Sequence, residues 1–133
     1  MVSPALLKEF KTILGHENVL TDMADLVTYS YDAAVLEPVV PAIALRPVSG
    51  KALSQVVRLC NENRLPLTVR GAGTNLSGGT IPLPKGAVVL TNALNKILEI
   101  NPQDMYAVVQ PGIGALRLRS TSFEERPGGL EGY

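Results

Sequence analysis

The stretch Arg70-Gly71-Ala72-Gly73-Thr74-Asn75-Leu76-Ser77-Gly78-Gly79-Thr80 holds the residues best suited to bind a ligand. Gly71, Gly73, Gly78 and Gly79 permit positive φ and let the backbone come close to a bound group. Successive amides in such turns converge into a concave anion site. Thr74, Asn75, Ser77 and Thr80 add short donors, and Arg70 adds a fixed positive charge at the loop entrance. Together these suit a pyrophosphate, which needs many donors and no bulky walls. Neither common nucleotide fingerprint is met. G-x-G-x-x-G would need glycine where Leu76 stands, and no G-K-S or G-K-T follows. Spacing alone leaves two readings open, a phosphate cradle and a plain chain reversal.

Other residues offer less. His16 follows Gly15 at the expected end of a helix, where a cation complements the helix dipole, so it reads as structural. Cys60 lies on an apolar stripe and reads as a buried, inert thiol. Tyr29 and Tyr31 alternate and cannot share one helix face. No His, Cys, Asp and Glu spacing suits a metal, and the single His excludes a confident Ser-His-Asp arrangement. The chain thus offers a binding loop, no metal site and no catalytic residues.

The loop needs elements to hold it, and the sequence supplies them. Ser3 and Pro4 open a helix with Leu6, Leu7, Phe10, Ile13 and Leu14 on one face, and Gly15 ends it. Asp22 caps a shorter helix through Met23, Leu26, Val27 and Tyr31, and residues 33–41, with two prolines, read as an extended connection. Ala42 to Leu45 is a short strand ended by Pro47. Ser49 caps a helix carrying Leu53, Val56, Val57 and Cys60, closed by Asn63 and Arg64. Leu65 to Val69 is the next strand. Strand, helix, strand is a βαβ unit, so the two strands should be parallel, with a right-handed crossover. The glycine-rich loop then leaves the carboxyl end of a parallel strand, where open α/β sheets place their ligands. Ala87 to Leu90 is a third buried strand. Ile97 to Ile100 and Ala107 to Gln110 flank the turn Asn101-Pro102-Gln103-Asp104 and form an antiparallel hairpin. The expected fold is mixed α/β: a small parallel βαβ subdomain up to about residue 90, leading into the start of an antiparallel sheet. Residues 115–133 show no sustained apolar period and read as an irregular tail.

Composition sets the outer limits. The chain has 133 residues, 46% of them apolar and 18% charged, which describes a globular domain with a real core. Twelve basic residues match twelve acidic ones, which argues against a nucleic-acid binder driven by bulk positive field. The neutral total hides an acidic excess in residues 1–45 and a basic excess after them. One Cys excludes a disulfide framework. No apolar run is long enough to span a bilayer. The opening MVSPALLKEFK lacks a basic leader and long apolar run, so no signal peptide and a cytoplasmic location are expected.

At the loop the chain resembles a known family. LPLTVRGAGTNLSGG is similar to the phosphate-binding signature of the flavoenzyme superfamily typified by vanillyl-alcohol oxidase, the PCMH-type FAD domain. PAIALRPVSGKALSQVVRLCNENRLPL resembles that family's lead-in strand, turn and helix, and GAVVLTNALNKILEINPQDMYAVVQPGI resembles the stretch that follows. The match runs from about residue 20 to 114. It leans towards the FAD-binding subunit of glycolate oxidases and their D-lactate and D-2-hydroxyglutarate dehydrogenase relatives. The resemblance implies that FAD lies between a parallel subdomain and an antiparallel sheet. Gly71, Ala72, Gly73, Thr74 and Asn75 would hold its pyrophosphate, Gly78 and Gly79 would complete that wall, Pro47 would lie near the loop, and Pro111 and Gly112 would lie near the other side. Arg70 and Ser77 join this set of cofactor-binding candidates. Relatives with covalent flavin often carry His in an R-x-G-G-H pattern; Thr74 stands in that place, which implies non-covalent FAD.

In the family, a 2-hydroxy acid is oxidised to a 2-keto acid, with hydride passing from the α-carbon to flavin N5 while a base takes the hydroxyl proton. The protein positions the cofactor, and the flavin does the redox work. The family's second glycine-rich flavin segment and its substrate domain have no counterpart in these residues. Residues 1–114 therefore read as the N-terminal part of the FAD domain, inactive alone because half a cleft cannot exclude water or orient a substrate. Sheet edges left open suggest a second reading, a non-catalytic module that pairs with another copy or with other oxidase subunits.

Overall fold

The computed structural model describes residues 2–124. Helix α1, Pro4–Leu14, starts where the Leu6 N–H donates to Ser3 Oγ at 3.2 Å and stops at Gly15, whose φ of 84° suits glycine. A short 3₁₀ turn leads into strand β1, Val19–Leu20. Helix α2, Met23–Val27, is capped by Asp22, which accepts from the Ala24 N–H; Tyr31 lies beyond its end. After the extended connection come β2, Ile43–Leu45, and α3, Gly50–Glu62, capped by Ser49. Strand β3 is Leu67–Arg70, and β4 is Ala87–Leu90.

These strands form a four-stranded sheet in the order β1-β2-β4-β3. Strands β2, β4 and β3 are parallel, with Leu45 and Val69 both opposite Val89. Two features go beyond the sequence reading. The strands of the βαβ unit are parallel but not neighbours, because β4 enters between them. Its residues, like those of β2, are all apolar and buried, as a central parallel strand requires. In addition, β1 pairs antiparallel with β2 as an edge strand, a role that two residues give no periodicity to announce.

Alternation along the strands splits the core. On one face Leu6, Phe10 and Leu14 of α1 and Ala52, Val56 and Cys60 of α3 pack on Ile43, Leu45, Ala87 and Val89. On the other, a thinner cluster joins Leu26 of α2 to Ala44, Val88 and Leu90, flanked by Leu20 and Tyr29.

Strands β5, Ile97–Asn101, and β6, Tyr106–Val109, form the expected antiparallel hairpin, with a register shift between Ile97 and Glu99. The Asp104 N–H donates to Asn101 Oδ1 to close the turn. The segment from Ala115 is not irregular throughout, as the sequence reading expected. Residues Ala115–Glu124 form helix α4, which is tied back by Arg117 Nη1 donating to the Asn95 carbonyl at 3.1 Å. The remainder of the expected tail, 125–133, lies outside the described residues.

Candidate functional site

Because β2, β3 and β4 run parallel, their carboxyl ends share one edge of the sheet, and the loops leaving them meet there. Residues 71–80 leave β3. Gly73 and Gly78 take φ of 73° and 72°, the left-handed turns that splay the loop open. Among the described residues, none accepts a hydrogen bond from the backbone N–H groups of residues 71–79. Backbone donors without an internal partner need water or a ligand, so this stretch has the donor set an anion requires. Gly71 has open space around it, with Thr91 Oγ1 the nearest atom at 3.9 Å to an added Cβ.

The other expected cofactor residues are placed as follows. Thr74, Ser77 and Gly79 are exposed on the loop with Gly71 and Ala72. Pro111 and Gly112 follow β6 and return to the sheet edge, where the Gly112 N–H donates to the Leu94 carbonyl at 2.7 Å. A Cβ at Gly112 would run into the Thr91 carbonyl, and the Thr91 N–H donates to the Arg70 carbonyl at 3.0 Å. Gly112 and the start of the loop thus sit on either side of one residue. Pro47 is fully buried just beyond β2, separated from the β3 loop by the width of β4.

The polar side chains of the loop behave differently from its backbone. Arg70 is buried, and its Nη1 donates to the Tyr31 carbonyl at 2.6 Å and to Thr80 Oγ1 at 3.4 Å. The guanidinium lies 5.9 Å from the Tyr29 ring centroid, within cation–π range, and covers the Cβ position of Gly73. Asn75 Nδ2 donates to Asp32 Oδ2 at 2.6 Å, and Thr80 adds its N–H and hydroxyl to the same oxygen at 3.4 and 3.2 Å. Leu36 packs over Gly78. The extended connection before β2 is therefore a strap that holds the loop from behind. The strap-facing side of the loop is made of side chains, and its remaining donors are main-chain amides.

Asp32 escaped the sequence reading. Its partners Asn75 and Thr80 lie 43 and 48 positions away, and only its short-range bond to the Ala34 N–H had any local signature. Desolvation pushes its carboxyl pKa up, but the hydrogen bonds from Ala34, Asn75 and Thr80 outweigh this and hold it below the ordinary aspartate value. Asp32 is thus a carboxylate at neutral pH, acceptor-only and saturated with donors. Cys60 is buried in the core, and desolvation pushes its thiol up to about 11, which makes it inert. Among the described residues no group of three or more His, Cys, Asp or Glu is placed to hold a metal ion. No described helix is long and apolar enough to cross a membrane.

A family model described as an FAD binding domain matches residues 41–122, from the strand before α3 to within α4. The chain belongs to this FAD binding domain family. The match also carries the family pattern past residue 114, where the sequence reading had ended it. The glycolate oxidase subunit GlcD of Bacillus subtilis is 35% identical over 113 residues, covering 85% of this chain and 24% of that protein. The D-2-hydroxyglutarate dehydrogenase of Stutzerimonas stutzeri is 33% identical over 119 residues, covering 90% and 26%. A crystal structure of p-cresol methylhydroxylase with substrate bound superposes with a TM-score of 0.78 at 28% identity, covering 88% of this chain and 24% of that one. The chain spans about a quarter of the length of these relatives. Its architecture is that of the PCMH-type FAD domain, and its cofactor is FAD.

Proposed function

We propose that this chain forms the FAD-holding part of a 2-hydroxy-acid oxidoreductase of the glycolate oxidase and D-lactate dehydrogenase type. The observation that carries the cofactor assignment is the run of amides in residues 71–79 that no described residue engages, at the carboxyl edge of a parallel sheet. In this reading Gly71, Ala72, Gly73, Thr74 and Asn75 hold the pyrophosphate through main-chain N–H groups, with the Thr74 and Ser77 hydroxyls beside them. Gly78 and Gly79 continue that wall, and Pro47, Pro111 and Gly112 border the cofactor. Arg70 acts by covering Gly73 and anchoring to the strap. Bound FAD would supply the two-electron acceptor for oxidation of a 2-hydroxy acid to its 2-keto acid. The chain's own contribution is to bind and orient that acceptor. Thr74, in place of a histidine, makes the attachment non-covalent.

The test is direct. Purified chain, mixed with FAD, should quench flavin fluorescence and release intact FAD on denaturation. It should not oxidise glycolate or D-lactate by itself, because half of a cofactor cleft cannot exclude water or orient a substrate. Failure to bind FAD would overturn the cofactor assignment, and robust turnover would overturn the division of labour.

A second reading has its own observation. Leu98 and Met105 in the hairpin are 61% and 90% exposed, and Tyr106 and Val108 are exposed beside them. A two-stranded sheet with both edges open invites another chain. If that is the function, the chain will be colourless and dimeric by light scattering.

A further inference from the structure

Asp32 receives four donors on two oxygens. The Ala34 N–H meets Oδ1 at 2.9 Å; Asn75 Nδ2, the Thr80 N–H and the Thr80 hydroxyl meet Oδ2. The Thr80 hydroxyl has a single proton and also lies 3.0 Å from Asn75 Oδ1, so the three side chains form one closed cluster. Arg70 is joined to this cluster at Thr80 and is the cation that faces it from the loop's base. The cluster links the strap to both flanks of the loop: Asn75 on its rising side, Thr80 at its far end.

Only a carboxylate satisfies this arrangement. An amide has one oxygen and one NH₂ group. Whichever way it is turned, its NH₂ faces a donor, either Ala34 N–H or the Asn75 and Thr80 set, and a half-buried donor loses its partner. We propose that Asp32 is a positioning residue, a brace whose carboxylate fixes the shape of residues 73–80 so that their amides converge before a cofactor arrives. Asp32 itself touches no ligand. It acts through Asn75 and Thr80, and a preset loop binds more tightly because less ordering accompanies binding. The consequence for affinity rests on the FAD reading of the loop; the brace itself does not.

The experiment compares the full 133-residue chain with Asp32→Asn and with the exchanged pair Asp32→Asn/Asn75→Asp. In the exchanged pair an amide at 32 can accept from Ala34 and donate to a carboxylate at 75, which also accepts from the Thr80 hydroxyl, so the Thr80 N–H is the one donor left without its acceptor. Backbone ¹⁵N relaxation without cofactor reads the brace. Order parameters over residues 73–80 should fall from about 0.85 towards about 0.6 in Asp32→Asn and recover in part in the exchanged pair, while those of the sheet stay level. FAD titration reads the consequence, with an expected loss of roughly tenfold in affinity for Asp32→Asn; the exchanged pair is read by relaxation alone, because its carboxylate at 75 lies within the proposed pyrophosphate segment. Unchanged loop order in Asp32→Asn would overturn the proposal. So would an exchanged pair no better than the single variant, since a merely structural acid would not be rescued by moving its charge. If the wild-type chain takes up no FAD, the cofactor reading fails, and the relaxation series still decides the brace.

Discussion

Two regions of this molecule are built from similar strand-forming residues and end in opposite states. In the parallel sheet, Ile43, Ala44 and Leu45 and Ala87 to Leu90 are buried, with helices on one face and α2 on the other. In the β5–β6 hairpin, Leu98, Tyr106 and Val108 are exposed, and no described helix covers them. The first region is held by burial at about 25 cal/mol per Å² of apolar surface. The second is held by its ladder, its turn and three ties at its base: Gln110 N–H to Lys96, Lys96 N–H to Gln110 Oε1, and Gly112 N–H to Leu94. A hairpin of this kind is marginal alone. The lesson is that the glycine-rich loop is anchored to the buried sheet, while Pro111 and Gly112, proposed to border the cofactor from the other side, follow the exposed hairpin.

This contrast can be broken or sharpened by experiment. The largest effect is expected in the sheet region: Phe10→Ala should cost about 3–5 kcal/mol in urea unfolding, whereas Val108→Ala should cost under about 0.5 kcal/mol. Equal costs would mean that the hairpin is packed in solution. Next is the junction. Gly112→Val drives a side chain into the Thr91 backbone and should cost more than about 1 kcal/mol, with amide shifts confined to the Thr91–Leu94 segment and the hairpin base. Third, Gly73→Val forces a β-branched residue into φ of 73° beneath the Arg70 guanidinium. It should abolish FAD binding, read by flavin fluorescence, while the sheet's far-UV signal persists; unchanged affinity would remove the loop from the site. The smallest effect concerns pH. The folded Asp32 pKa lies below its unfolded value, so its stabilisation is present above the unfolded pKa and is lost as pH falls through the folded one. The stability difference between wild type and Asp32→Asn should be constant near neutrality and close in acid, below the usual aspartate range. A difference that persists at low pH would show that the carboxylate's charge is not what matters.

Much of this was legible in the chain. Caps at Ser3, Asp22 and Ser49 fixed the helix starts because a short hydroxyl or carboxylate beside an apolar stripe has a local cause and a local effect. The glycine-rich loop was legible for the same reason. What was not legible depended on distance or on weak pattern. The insertion of β4 between β2 and β3 is a matter of which strand tolerates burial on both faces, and residues 87–90 do so only in company. Helix α4 has Arg117, Arg119, Ser120 and Thr121 scattered among its apolar residues, so no period marks it. Asp32 sits in a stretch without regular structure, and apart from its bond to Ala34 its meaning comes from residues that fold back onto it.

The placement of β4 also dictates a sequence of events on the ribosome. Strands β2 and β3 each leave a row of amides and carbonyls that only β4 can fill, yet β4 is synthesised last of the three. A nascent chain that has emerged only as far as the glycine-rich loop therefore carries two unzipped ladders and a half-covered apolar face. Productive folding waits for four consecutive residues, 87–90, to slot in from the side. Translational pausing before that point would prolong the interval in which the polypeptide is most vulnerable to sticking to its neighbours.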